Sequence, residues 1–124
     1  MITNSAPLKN SAIALLILTK SKLDTEDKWT KGVMARDENG TRLNPTTDSD
    51  KAVCWCITGA MEACKFTHSV YEKAYVALME AIDDAISEIS SVEEYNDLAS
   101  TSYQDVMNLI DAAIIKLQAE ANDA

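Results

Sequence analysis

The chain of 124 residues holds one histidine, three cysteines, three glycines and two prolines, and its longest purely apolar run, Ala12–Leu18, is seven residues. Each scarcity removes a class of protein. A membrane helix needs about 20 apolar residues, so that run is far too short to span a bilayer. It has no strongly basic stretch before it and no small-residue cleavage site after it, so it does not read as a signal peptide. None of the glycines sits in a phosphate-binding loop, and His68 stands alone. An odd cysteine count points to reduced thiols and a cytoplasmic protein. There is no internal repeat and no low-complexity stretch.

Positive charge is scarce in one half only. Residues 1–66 carry nine Lys/Arg against eight Asp/Glu, whereas residues 67–124 carry two Lys against twelve Asp/Glu. An acidic C-terminal half argues against direct binding to nucleic acid or anionic lipid and favours a basic protein partner. With 47% hydrophobic and 25% charged residues the composition is that of a globular protein. The length predicts a single domain over 1–124, with fraying at 1–5 and 119–124.

Helical spacing dominates. Pro7 to about Leu23 carries Ala12, Leu15, Leu16 and Thr19 on one face, widened by Ile13 and Ile17. Asp24–Thr30 reads as a short helical turn before Gly32. Asn39-Gly40 within 33–44 predicts a small hairpin or ordered loop whose two turn residues take positive φ. A second helix is expected from Asp48 or Ser49 to about Phe66. A third opens at Ser69 with the stripe Tyr71, Tyr75, Leu78, Ile82, Ile86 and Ile89. A fourth carries Val106, Leu109, Ile110, Ala113, Ile114 and Leu117 behind a capping box of Thr101 and Gln104. The predicted fold is mainly α, a four-helix bundle-like domain with one short hairpin.

The segment "AVCWCITGAMEAC" at Ala52–Cys64 holds all three cysteines. On a helix, neighbouring residues lie about 100° apart, so Cys54 and Cys56 would point to opposite sides and could not share a zinc ion. Cys64 and His68, four apart, would face the same way but make only half a site. Cys54, near the start of the helix, is the best-placed nucleophile, yet His68 would lie about 20 Å away at 1.5 Å rise per residue. The simpler reading makes Val53, Cys56, Ile57, Ala60 and Cys64 a buried face, with cysteine packing as a small hydrophobe. Gly59 then marks a close backbone approach.

Three motifs taken together resemble a known family. They are "WTKGVMARDENG" at Trp29–Gly40, "AVCWCITGA" at Ala52–Ala60 and "YND" at Tyr95–Asp97, ahead of a final amphipathic helix. This is the pattern of small uncharacterised proteins of bacteriophages and bacteria known only as a domain of unknown function. The resemblance covers about Ala12 to Leu117, with Tyr95 where the family usually shows tryptophan. It implies the fold and a phage origin, and no activity.

Two constellations are candidate sites. Trp29, Lys31, Arg36 and Asp37 cluster in the non-helical segment, where an arginine beside an aromatic could clamp a phosphate or carboxylate. Trp55, Asn96 and Asp97 could join them in space. The alternative is that Arg36 and Asp37 form a local ion pair and Trp29 covers the core. Glu80, Asp83, Asp84 and Glu88 form an acidic helix face that could dock on a basic partner. No catalytic residue, metal or cofactor is expected. The leading reading is a non-enzymatic binding protein, a phage accessory or defence-countering factor acting by occupying a host protein and working as a homodimer. The alternatives are a nucleotide-sequestering protein using Trp29, Lys31 and Arg36, and a small cysteine-dependent hydrolase or transferase.

Overall fold

A computed structural model describes residues 6–120. The elements in order are α1 (Ala6–Lys22), a 3-10 turn (Glu26–Lys28), β1 (Ala35–Arg36), β2 (Arg42–Leu43), β3 (Cys54–Trp55), α2 (Ile57–Ala63), α3 (His68–Ala85), α4 (Val92–Asp97) and α5 (Tyr103–Ala119). The fold is mainly helical, as the spacing predicts, with five α-helices among the described residues rather than four. The three short strands form one antiparallel sheet in the order β2-β1-β3. Among the described residues no helix is long and apolar enough to cross a membrane.

The long helices α1, α3 and α5 pack on one another and enclose the core. Leu15, Leu16 and Leu23, Leu78 and Ile82, and Val106, Ile110 and Leu117 are fully buried. A large aliphatic side chain contributes about 1.5–3 kcal/mol when buried, so this three-helix seam supplies most of the driving force. Thr19 lies on the same stripe and is also fully buried. Its hydroxyl donates to the Leu15 carbonyl at 2.8 Å, which removes the cost of burying it. Ala74, Ala77 and Ala81 complete the buried face of α3, where their small size lets the neighbouring helices approach.

Several boundaries differ from the periodicity. The capping box of α5 is Ser102 with Asp105, one residue beyond the expected Thr101 and Gln104. Thr101 instead donates its hydroxyl to the Tyr95 carbonyl. α3 starts at His68 and stops at Ala85, which leaves Ile86 and Ile89 outside the helix. Ala119 closes α5, and Glu120 accepts hydrogen bonds from Lys9 and Lys73, so residues 119 and 120 are tied to the rest of the protein. The expectation for 1–5 and 121–124 lies outside the described residues.

The largest correction concerns residues 48–66. Val53-Cys54-Trp55 pairs with β1 (Ala35 opposite Trp55, Arg36 opposite Cys54), so α2 begins at Ile57 and is only seven residues long. β-branched and aromatic side chains suit a strand, and the pairing partner lies some 20 residues upstream, beyond the reach of a local pattern. Val53 is consequently exposed, not part of the buried face; Cys56, Ile57 and Ala60 are buried as expected. The hairpin at 33–44 is present, but only Gly40 takes positive φ (82°). Asp37 closes the loop through Thr41 and Gly40, and its carboxylate accepts from the Asn39 and Thr41 N–H groups. That is a turn followed by one left-handed residue, not a two-residue turn.

Gly59 is the close approach its position in the sequence suggests. A Cβ there would overlap the Met34 carbonyl group, coming within 2.7 Å of its carbon. Met34 also accepts the Cys56 N–H, which ties α2 to the strand segment. Because the obstacle is backbone, Gly59→Ala is expected to destabilise the protein by about 3 kcal/mol. Urea denaturation followed by circular dichroism measures this; a loss below about 1 kcal/mol would mean that the 34–59 contact yields easily.

Candidate functional site

The motif residues come together at the non-helical corner, where α4 meets the segment after α1. Asn96, fully buried near the end of α4, is the centre. Its Oδ1 accepts the Trp29 indole N–H at 2.8 Å and the Ile57 N–H at 3.1 Å. Its Nδ2 donates to the Thr30 carbonyl at 3.1 Å and to Asp97 Oδ1 at 2.9 Å. A side-chain amide has two acceptor and two donor positions, and all are filled. Asp97 Oδ1 also accepts the Gly32 N–H at 2.9 Å.

The cations of the corner are similarly engaged. Lys31 donates to the Leu98 carbonyl at 2.6 Å, satisfying the end of α4, and its ammonium lies 5.3 Å from the Trp29 ring centre. Arg36 donates from Nε to Thr30 Oγ1 at 3.0 Å and from its two terminal nitrogens to the carbonyls of Gly40 and Lys31 at 3.2 Å. It therefore pins the hairpin to the Thr30–Lys31 segment. The expected Arg36–Asp37 ion pair does not form; Asp37 spends its carboxylate on the hairpin turn. Trp29 and Trp55 lie side by side in a parallel bridge, with the Thr30 N–H on the Trp55 carbonyl at 3.0 Å. Lys22 covers the Trp55 ring at 5.0 Å. The Trp55 indole N–H is buried with no partner among the described residues.

The structure thus brings Trp29, Lys31, Arg36, Trp55, Asn96 and Asp97 together, with Asp37 one step away in the hairpin. The groove beside them, about 490 Å³, is lined by Gly32, Val33, Met34, Arg42, Leu43, Asn44 and Pro45, and by none of those side chains. Sequence reasoning missed α4 itself, although Ser91 and Glu94 stand three apart as a helix start requires. Ser91 does cap it, accepting the Glu94 N–H. The acidic face is shorter than expected. Glu80, Asp83 and Asp84 are on α3, but Glu88 lies beyond its end in a left-handed conformation (φ 71°). Asp84 pairs with Lys116 at 2.6 Å.

The cysteines sit differently from the helical reading. Cys54 is on β3, and Cys56 is the N-cap of α2, its sulfur accepting the Gly59 N–H at 3.3 Å. Cys64 ends α2 and Lys65 takes a left-handed turn (φ 58°), so Cys64 and His68 do not share a helix. A helix N-terminus favours a thiolate, but burial outweighs it here and pushes the Cys56 thiol above its ordinary range. Burial likewise raises Cys64. Among the described residues no three His, Cys, Asp or Glu side chains converge to hold a metal ion.

Two outcomes are expected. Asn96→Ala strands the Trp29 indole, the Ile57 N–H and the Thr30 carbonyl, and should cost about 3 kcal/mol or more in urea denaturation; a loss under 1 kcal/mol would show that the corner folds without it. In mass-resolved labelling, Cys56 and Cys64 should react with a thiol reagent only on denaturation. Rapid native labelling of Cys56 would restore it as a candidate nucleophile.

Comparison with curated proteins and with solved structures gives no match. A family description, by contrast, covers residues 8–116 and so includes every motif of the corner. The chain belongs to the family of unknown function DUF6197.

Proposed function

We propose that the chain is a non-enzymatic binding protein that acts as a homodimer and occupies a basic protein partner. The observation that carries this reading is the state of the corner. Its Trp29 indole, Lys31, Arg36 and Asn96 amide are engaged by the protein itself. A nucleotide would have to displace those bonds, and no observation favours that alternative. The buried, proton-retaining Cys56 likewise offers little to a hydrolase or transferase. What remains for recognition is the helical exterior. The free thiols support a reducing, cytoplasmic setting.

That exterior has a groove of about 470 Å³ between α1 and α5, lined by the apolar Ile17, Met107 and Ile114 and the polar Lys20, Ser21, Asp24 and Asp111. Ile17 is 53% exposed, and Leu18 and Ile115 are open to solvent on the same two helices. Exposed apolar surface favours association. The lining carries both signs, with Lys20 on Asp111 at 2.8 Å, so a two-fold copy can exchange those partners without placing like charges together. Glu80 and Asp83 on α3 stay outside such an interface, which leaves that acidic face available to a basic partner.

Light scattering at micromolar concentration should give twice the 13.6 kDa chain mass. Ile17→Lys combined with Ile114→Lys should return the monomer with helicity intact. A monomer mass for the unaltered chain overturns the dimer.

A further inference from the structure

Away from both the corner and the α1–α5 groove, a third surface combines aromatic rings with carboxylates. It lies where the end of α2, the first turns of α3 and the start of α4 meet. Two adjoining grooves, about 520 and 270 Å³, share His68 and Tyr71. The larger continues to Phe66 and Glu62, the smaller to Glu72, Tyr75 and Glu93. Tyr71 and Tyr75 stack with ring centres 6.1 Å apart and planes 24° from parallel.

The cradle is held in place. Tyr75 donates its hydroxyl to Glu93 at 2.8 Å and accepts the Val92 N–H at 3.2 Å, which fixes ring and carboxylate together. Tyr71, by contrast, makes no side-chain hydrogen bond among the described residues, and Glu62 has no cationic partner there. Glu72 faces only the exposed His68, at 3.6 Å. Three carboxylates thus oppose one lysine, Lys65, around the grooves. The field is negative enough to register on Tyr71, whose hydroxyl is raised first by burial and then by Glu62 and Glu93.

Aromatic faces carry negative potential and attract cations. Carboxylates at the edge of a ring pair add direction, and their excess over Lys65 disfavours an anion. Of the two cationic side chains, a guanidinium lies flat on a tyrosine and pairs with a carboxylate through two parallel bonds, whereas an ammonium does neither. We propose that this cradle binds an arginine side chain of a basic peptide or protein, stacked on Tyr71 and paired with Glu62 or Glu93. The inference rests on the reading that the partner is basic, and gives that partner a defined docking point.

The test uses the full chain and a fluorescein-labelled arginine-rich peptide, with a lysine peptide of equal length and charge beside it, read by anisotropy. Tighter binding of the arginine peptide is expected, weakened about tenfold by Glu62→Gln and by Tyr71→Leu. Tyr71→Phe, which keeps the ring, should restore affinity and serves as the folding control. Glu38→Gln with Asp50→Asn, two exposed carboxylates on a separate groove, should leave binding unchanged. If both peptides bind equally, or if the cradle variants bind as the unaltered chain does, the cradle assignment falls while the basic partner survives. If neither peptide binds, the basic-partner reading falls with it.

Discussion

The side-chain amide of Asn96 holds an indole, two main-chain groups and a carboxylate, and these come from positions up to 67 residues away. The strands nearby are two residues each, too short to persist by ladder bonds alone. What orders residues 24–56 is therefore the amide, the Arg36 clamp and the Gly59–Met34 contact. Bonds of this kind are stronger in a buried site than in water, and each loose end there is costly. The corner is accordingly cooperative, since removing its centre strands several partners at once. The helices α1, α3 and α5 depend on it less, because their seam is apolar and does not pass through Asn96.

The same division explains what could be read from the sequence. α1 and α5 follow from Leu15, Leu16, Val106, Ile110 and Leu117, because seventeen-residue helices repeat their pattern several times. α3 was over-extended because Ile86 and Ile89 continue the spacing, although the chain leaves the helix at Ala85. Periodicity reports a face and carries no stop signal when no glycine or proline supplies one. α4, at six residues, has too few turns to show a period.

The corner was legible as residue types and not as bonds. Trp29, Arg36, Asn96 and Asp97 could be named, but the Trp29–Asn96 contact spans 67 residues and depends on where α4 ends. Cys54 and Cys56 show the limit most plainly. One helix placed them on opposite sides; the observed strand and cap place Cys56 beneath α2 with its sulfur spent on the Gly59 N–H. The residues that look most like chemistry in this chain are those that a short, irregular segment needs for its main-chain hydrogen bonds. Tryptophan, arginine and asparagine offer several directed donors and acceptors on side chains that still pack.

The corner nevertheless bears on recognition, through geometry. Asn96 belongs to α4 and binds the first N–H of α2, so it fixes the distance between those two short helices. Glu62 rides on α2, Glu93 on α4, and Tyr71 and Tyr75 on α3. Neither α2 nor α4 has the length to stand alone in water, so the amide that joins them, together with the Tyr75 hydroxyl on Glu93, places the opposing carboxylates of the cradle.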